Sequence, residues 1–290
     1  MGIKASLKPL ARGIGRLPGI SQVLRMPSVR RSLAGLPGMS YLSSADGVSP
    51  WDRIHPFDIA HGTDTSGFVA VADLDQLEHE AGRAQSLPYA PSQPSIIRAA
   101  LTALEPLDSF TFVDLGCGKG RPLLVASEFP FCEIIGVEFS APLARTARRN
   151  AELIKQRFLR CSPIRVVVGD ARQFPLPSGN LVLFLYNPFD EEVMAKVVEN
   201  LNAALANAQR TVYVVYYNPV AGHCFDSSPL LRRRFAGTLP YADDELGYGP
   251  DTEDPVVVWQ DAAGFAPTDT RANARIEITK PRVRVRLVPI

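Results

Sequence analysis

Acidic residues are missing from the first 45 positions of this chain, which nevertheless carry Lys4, Lys8, Arg12, Arg16, Arg25, Arg30 and Arg31. Paired cysteines are missing throughout. Cys117, Cys132, Cys161 and Cys224 form no CxxC and do not combine with the four histidines at zinc-ligand spacing, which argues against a zinc ribbon or finger and leaves reduced thiols in a cytoplasmic protein as the expectation. No apolar run approaches the roughly 20 residues of a membrane span; the longest is "LVLFLY" at 181–186. The N-terminus has no continuous apolar core, so a secretory signal is not expected. Net charge is only +1 over 290 residues, which is silent on nucleic acid. There is no internal repeat.

What the chain does have begins with its basic segment. Ile3, Leu7, Leu10, Ile14 and Leu17 fall at helical spacing, yet Pro9, Gly13, Gly15 and Pro18 interrupt a helix there. Residues 1–50 are therefore expected to be a basic, flexible segment. Its charge leaves open an acidic partner, nucleic acid, a membrane surface or an organelle-targeting role. Residues 51–94 read as a cap or lid made of loops with aromatic anchors, centred on "HGTDTSG" (61–67) and "YAPS" (89–92). The remainder of 51–290 is one domain.

From Ser95 the sequence alternates. Helices are expected at 95–104, 121–129, 140–159 and 191–207, the third opening on Ser140 as N-cap. Strands are expected at 110–116, 132–139, 164–171, 180–189 and 210–219. Near-continuous aliphatic strands between helices imply a parallel sheet covered on both faces. The stretches 254–260 and 275–288 have strand composition without a helix between them, which suits an antiparallel pair at the sheet edge. "LLRRRF" (230–235) reads as a solvated helix face, with a phosphate site as the sharper alternative.

The chemistry gathers around "FVDLGCGKGRPLLVAS" (112–127). Gly116, Gly118 and Gly120 follow a strand and open a helix, where a doubly wound sheet receives its ligand. The spacing is GxGxG. Arg121 stands where a dinucleotide-binding GxGxxG needs its third glycine, and the P-loop pattern GxxxxGK[ST] is absent. Glu138 ends the second strand, placed to accept from two ribose hydroxyls, and Asp170 ends the third, beside the same crevice. Three successive strand ends in the right order point to a nucleoside-type ligand.

"VDLGCGKGR", "GVEFS", "GDA" and "YNPF" resemble the ordered motifs of class I S-adenosylmethionine (SAM) dependent methyltransferases. Residues 57–220 resemble a bacterial group among them of unassigned substrate. The resemblance implies a Rossmann-like, doubly wound, seven-stranded α/β sheet, mostly parallel with an antiparallel C-terminal edge strand, below an irregular N-terminal extension. It implies SAM as cofactor, with Asp114, Gly116 and Gly118 at the methionine end, Glu138 on the ribose, and Asp170 with Ala171 beside the adenine. "YNPF" (186–189) is similar to the (N/D)PP(Y/F) signature but lacks its second proline, so Asn187 faces the acceptor or only ends the strand. Asp64, with Thr65 and Ser66, could contact the amino-acid end from the lid or form a turn. Tyr89 could stack in the pocket or anchor the core. Lys119 could neutralise the methionine carboxylate or face water. His61 and His223 are conceivable bases, more often structural. The expected reaction is methyl transfer to an unidentified acceptor, with nitrogen favoured. The rivals are an NAD-type oxidoreductase and a non-catalytic SAM- or nucleic-acid-binding module.

Overall fold

A computed structural model describes residues 50–74, 87–104, 106–154, 160, 164–206, 209–249, 251–265, 274–280 and 284–289. The chain divides into two units, 1–53 and 54–290. In the first, the described part is a short 3-10 turn at Pro50–Asp52; the expectations for the basic segment fall on residues outside the described ones.

In the second unit, α1 (Pro56–His61) and α2 (Pro94–Thr102) precede the alternating part. That part runs β1 (Phe110–Leu115), α3 (Arg121–Ala126), β2 (Glu133–Glu138), α4 (Ala141–Leu153), β3 (Ile164–Val168), β4 (Asn180–Tyr186), α5 (Glu191–Ala206) and β5 (Val212–Tyr217). Then follow α6 (Gly222–Asp226), β6 (Leu231–Pro240), β7 (Glu253–Asp261), β8 (Ala274–Lys280) and β9 (Arg284–Pro289).

Seven strands form one sheet in the order β3-β2-β1-β4-β5-β7-β6. The pairs from β3 to β5 are parallel, while β7 runs antiparallel to both β5 and β6. This is the seven-stranded, mostly parallel, Rossmann-like sheet with its antiparallel strand. Strand order reverses between β1 and β4, so the carboxyl ends of these two strands flank the switch point, where an open α/β sheet leaves a crevice.

Period-two alternation divides the core between the faces. Phe110 and Phe112 of β1 pack with Ile96, Ile97, Leu123, Leu124 and Ala147 from α2, α3 and α4. Val113 and Leu115 point the other way, with Met194, Val197 and Leu201 of α5, and with Phe225 and Trp259. In α4, Ser140 caps the amino end by accepting from the Leu143 N–H, and Leu143, Ala144, Ala147 and Asn150 are buried at one-face spacing. The expected continuation of this helix over 155–159 lies outside the described residues.

Two expectations are corrected. The stretch 275–288 does not join the sheet edge: β8 and β9 form a separate two-stranded antiparallel sheet, and of the two expected stretches only 254–260, in β7, enters the main sheet, next to edge strand β6. "LLRRRF" is not a helix face but the start of edge strand β6. Its cations are held by structural partners. Arg233 pairs with Asp226 and lies over the Trp259 ring, and Arg234 lies over Tyr213 and donates to Gln260. The three arginines are consecutive, and the register shift between Arg233 and Phe235 interrupts the strand's alternation there, at an edge where charged side chains are tolerated.

Candidate active site

The glycine run of β1–α3 is a loop in the left-handed region: φ is 85° at Gly116, 54° at Gly118 and 86° at Gly120. Lacking Cβ atoms, these positions reach that region without the penalty other residues meet. Gly116 and Cys117 donate their N–H groups to the Val137 carbonyl at 2.8 and 3.1 Å, fastening the loop to β2. Space also demands glycine. A Cβ at Gly116 would stand 2.6 Å from Cβ of Pro188, and one at Gly118 would stand 2.4 Å from the Tyr89 ring.

The loop forms the floor of a cleft of about 1050 Å³, open space at its mouth included. Its walls are strand ends. Asp114 comes from β1, Glu138 from β2, Asp170 and Ala171 follow β3, and Tyr186, Asn187, Pro188 and Phe189 close β4. Tyr89 and Ser92 enter from the cap. Asp114, Gly116, Gly118, Glu138, Asp170, Ala171, Tyr89 and Asn187 thus line one cavity.

Each acid has a distinct setting. Glu138 Oε2 accepts from Gly118 N–H at 2.8 Å and Oε1 from Ser140 N–H at 2.7 Å. Burial pushes its pKa up, against the pull of those backbone donors. Asp114 is 1% exposed and its Oδ2 has no hydrogen-bond partner among the described residues. Burial, then the neighbouring Glu138 charge, raises its pKa well above the usual carboxylate range. A buried carboxylate oxygen without a protein donor suits a cationic or N–H-bearing ligand. For Asp170, burial would raise the pKa, but the forked Arg172 guanidinium outweighs it and the net shift is downward. Asn187, at φ 38°, turns the chain from β4 into Pro188.

Two predicted site residues lie outside the cleft lining. Lys119 Nζ donates to Asp64 Oδ1 at 2.8 Å and to the Ser66 carbonyl at 2.6 Å, while the Asp64 side chain is 71% exposed. His61 packs against Phe57, and His223 pairs with the exposed Glu191 at 2.9 Å; neither lines the cleft. Among the described residues, Glu191, His223 and Cys224 also bring donor atoms within 4.8 Å of one another, away from that lining.

The sequence reading missed a buried polar group beside the loop, two of whose members, Ser92 and Arg121, line the cleft. Arg121 is 1% exposed and donates through Nε to Thr65 Oγ1 at 2.7 Å and through Nη1 to the Ser92 carbonyl at 2.9 Å. Its Nη2 stands 3.4 Å from Asp58 Oδ2. Ser92 lines the cleft, and its buried Oγ has no partner among the described residues. The clue was available: an Asp precedes a loop crowded with Thr and Ser hydroxyls, and an arginine occupies the position of the missing third glycine.

The glycine cradle, the doubly anchored Glu138 and the orphaned Asp114 oxygen fit the ribose and amino-acid parts of SAM. A family model described as "Methyltransferase domain" matches residues 112–210. The chain is 34% identical over 137 residues to the 4-amino-L-phenylalanine/4-methylamino-L-phenylalanine methyltransferase of Streptomyces pristinaespiralis. That alignment takes in 46% of this chain and only 38% of the relative's length. Among solved structures, TrmN from Thermus thermophilus is similar at 15% identity and a TM-score of 0.42, over 58% of this chain and 48% of that one. A Haemonchus contortus phosphoethanolamine N-methyltransferase 1, in complex with phosphoethanolamine and S-adenosylhomocysteine, is similar at 15% identity and a TM-score of 0.40, over 61% and 45%. Residues 112–210 therefore match the methyltransferase domain that the family model describes, and they lie within a sheet of Rossmann-like order.

Proposed function

We propose that the protein transfers the methyl group of SAM to a nitrogen nucleophile bound at the carboxyl end of β4. The observation that carries this is the pairing, in one glycine-floored cleft, of a Glu138 carboxylate fixed by Gly118 and Ser140 with the unpartnered Asp114 Oδ2. In this reading Glu138 accepts from the ribose hydroxyls, using lone pairs its backbone donors leave open. Asp114 Oδ2 accepts from the ammonium of the amino-acid end, and Gly116 and Gly118 give that end room against the main chain. Asp170 and Ala171 flank the base, and Tyr89 covers the loop. Asp64 and Lys119 act at a distance by tying the cap to the loop.

Bound SAM supplies a methyl carbon activated by a sulfonium. The protein's part is to align an acceptor lone pair with that carbon and keep water out, which is where most of the rate gain in such a displacement can arise. Tyr186, Asn187, Pro188 and Phe189 form the wall suited to this, with the Asn187 amide as the group to orient the acceptor nitrogen. The name of the Streptomyces relative specifies amino-bearing substrates, which supports nitrogen over oxygen. We place the reaction in the cytoplasm, on the reduced-cysteine reading; no helix among the described residues is long and apolar enough to cross a membrane. The basic N-terminal segment is assigned to an acidic partner, whose capture should weaken steeply with salt. Radiolabelled SAM incubated with separated protein, RNA, DNA and small-molecule fractions tests the function. Label in a small amine or protein side chain is expected, and no label in any fraction contradicts the transfer.

A further inference from the structure

We infer that residues 58–66 are a clamp that holds the glycine loop in its ligand-ready shape, with Arg121 and Asp58 as positioning residues rather than ligand contacts. This rests on the SAM reading of the cleft.

Asp58 is the hub. Its carboxylate accepts from Thr63 Oγ1 at 2.7 Å, from the Thr65 N–H at 3.0 Å, from Thr65 Oγ1 at 2.6 Å and from Ser66 Oγ at 2.5 Å. That fixes the "TDTS" turn as one body. Arg121, the first residue of α3, then reaches the turn through Thr65 Oγ1 and Ser66 Oγ and reaches the cap through the Ser92 carbonyl. Three further ties bind the turn to the loop. Tyr89 O–H donates to the Thr65 carbonyl at 2.6 Å while its ring covers Gly118. Lys119 reaches Asp64 and Ser66. Asn150 Nδ2, from α4, donates to the carbonyls of both Asp64 and Lys119, at 2.8 and 2.9 Å. A loop of three left-handed glycines has many conformations open to it when unrestrained, and ordering it at the moment of binding costs affinity. Here it is ordered beforehand from outside. Arg121 lines the cleft, but four of its five N–H donors are taken up by Thr65, Ser66, Ser92 and Asp58, which leaves one to offer a ligand.

The test compares SAM affinity with stability of the free protein. Asp58→Asn and Thr65→Val should each raise the SAM Kd tenfold or more, and Thr65→Ser should restore it. Glu128→Gln, which breaks the unrelated Arg98–Glu128 pair, should lower Tm while leaving Kd within twofold. Hydrogen exchange of the ligand-free protein supplies a second readout: amides 116–120 should exchange at least tenfold faster in Thr65→Val than in wild type. Wild-type Kd in Asp58→Asn and Thr65→Val, or unchanged exchange at 116–120, overturns the clamp. If wild type itself binds no SAM, the cofactor reading fails, and the exchange comparison still decides the clamp.

Discussion

The main-chain N–H of Gly118 donates to Glu138 Oε2 across 2.8 Å, so the loop that floors the cleft and the carboxylate that ends β2 are one rigid pair. In the proposed function Glu138 is a structural and a ligand-binding group at once. Glu138→Ala is expected to weaken SAM binding by roughly 10- to 100-fold, since charge-assisted hydrogen bonds contribute about 1.5–3 kcal/mol. Glu138→Gln, which keeps one oxygen acceptor, should fall between, and titration calorimetry of the three proteins checks the order.

Gly118→Ala places a methyl group 2.4 Å from the Tyr89 ring at a φ of 54°. The left-handed backbone alone costs about 1–2 kcal/mol for a residue with a Cβ, and the contact forces Tyr89 aside. A lower Tm and loss of SAM binding are expected. Adding Tyr89→Ala should recover part of the Tm, because it removes the contact and leaves the backbone term.

Asp114 carries a pKa raised by burial and by Glu138. A raised folded-state pKa means that its contribution to stability is fully present below the unfolded value of 3.8 and is lost as pH rises. Asp114→Asn should therefore raise the Tm of the ligand-free protein at pH 7, with the gain disappearing below about pH 4. The same substitution should weaken SAM binding, because the amide is a poorer partner for an ammonium. A variant both less stable and weaker in binding would contradict the role assigned to Asp114.

His55 is lowered to about 4, chiefly by burial and then by the Arg121 charge. Its Nδ1 accepts from the Phe57 N–H and its Nε2 lies 3.0 Å from Gln93 Oε1, so the neutral ring is held with Nε2 protonated. A depressed pKa on a base stabilises the fold above 6.5, and that stability is lost as pH falls from 6.5 towards about 4. His55→Asn can still cap α1. It should flatten the Tm profile in that window, which thermal melts across the range would show.

Asn187→Ala should cut label transfer by about tenfold or more, in the range of a lost orienting contact, while leaving SAM Kd unchanged. A rise in Kd equal to the loss of transfer would instead make Asn187 part of the cofactor site.

Most of the sheet was legible because each buried strand is a continuous aliphatic run and each strand end carries its own signal. Glu138 and Asp170 could be placed from order alone. Edge strand β6 was not legible, since its arginines pair with Asp226 and Gln260 and lie over Trp259 and Tyr213, none of which neighbours them in sequence. The pair β8–β9 was seen as strands, but composition does not say which sheet a strand joins. Arg121 was read only as a missing glycine. Its partner Asp58 is 63 positions earlier, and nothing local couples a buried cation to a carboxylate at that distance. Lys119 stood out as the unusual member of the loop, left between the methionine carboxylate and water, and the structure pairs it with Asp64.

The most direct measurement is titration calorimetry of the wild-type protein with SAM and, separately, with NAD. Saturable binding of SAM near one per chain, lost or strongly weakened in Glu138→Ala, with no heat from NAD, is the expected result. No binding of SAM, or equal binding to wild type and Glu138→Ala, would contradict the assignment of this cleft.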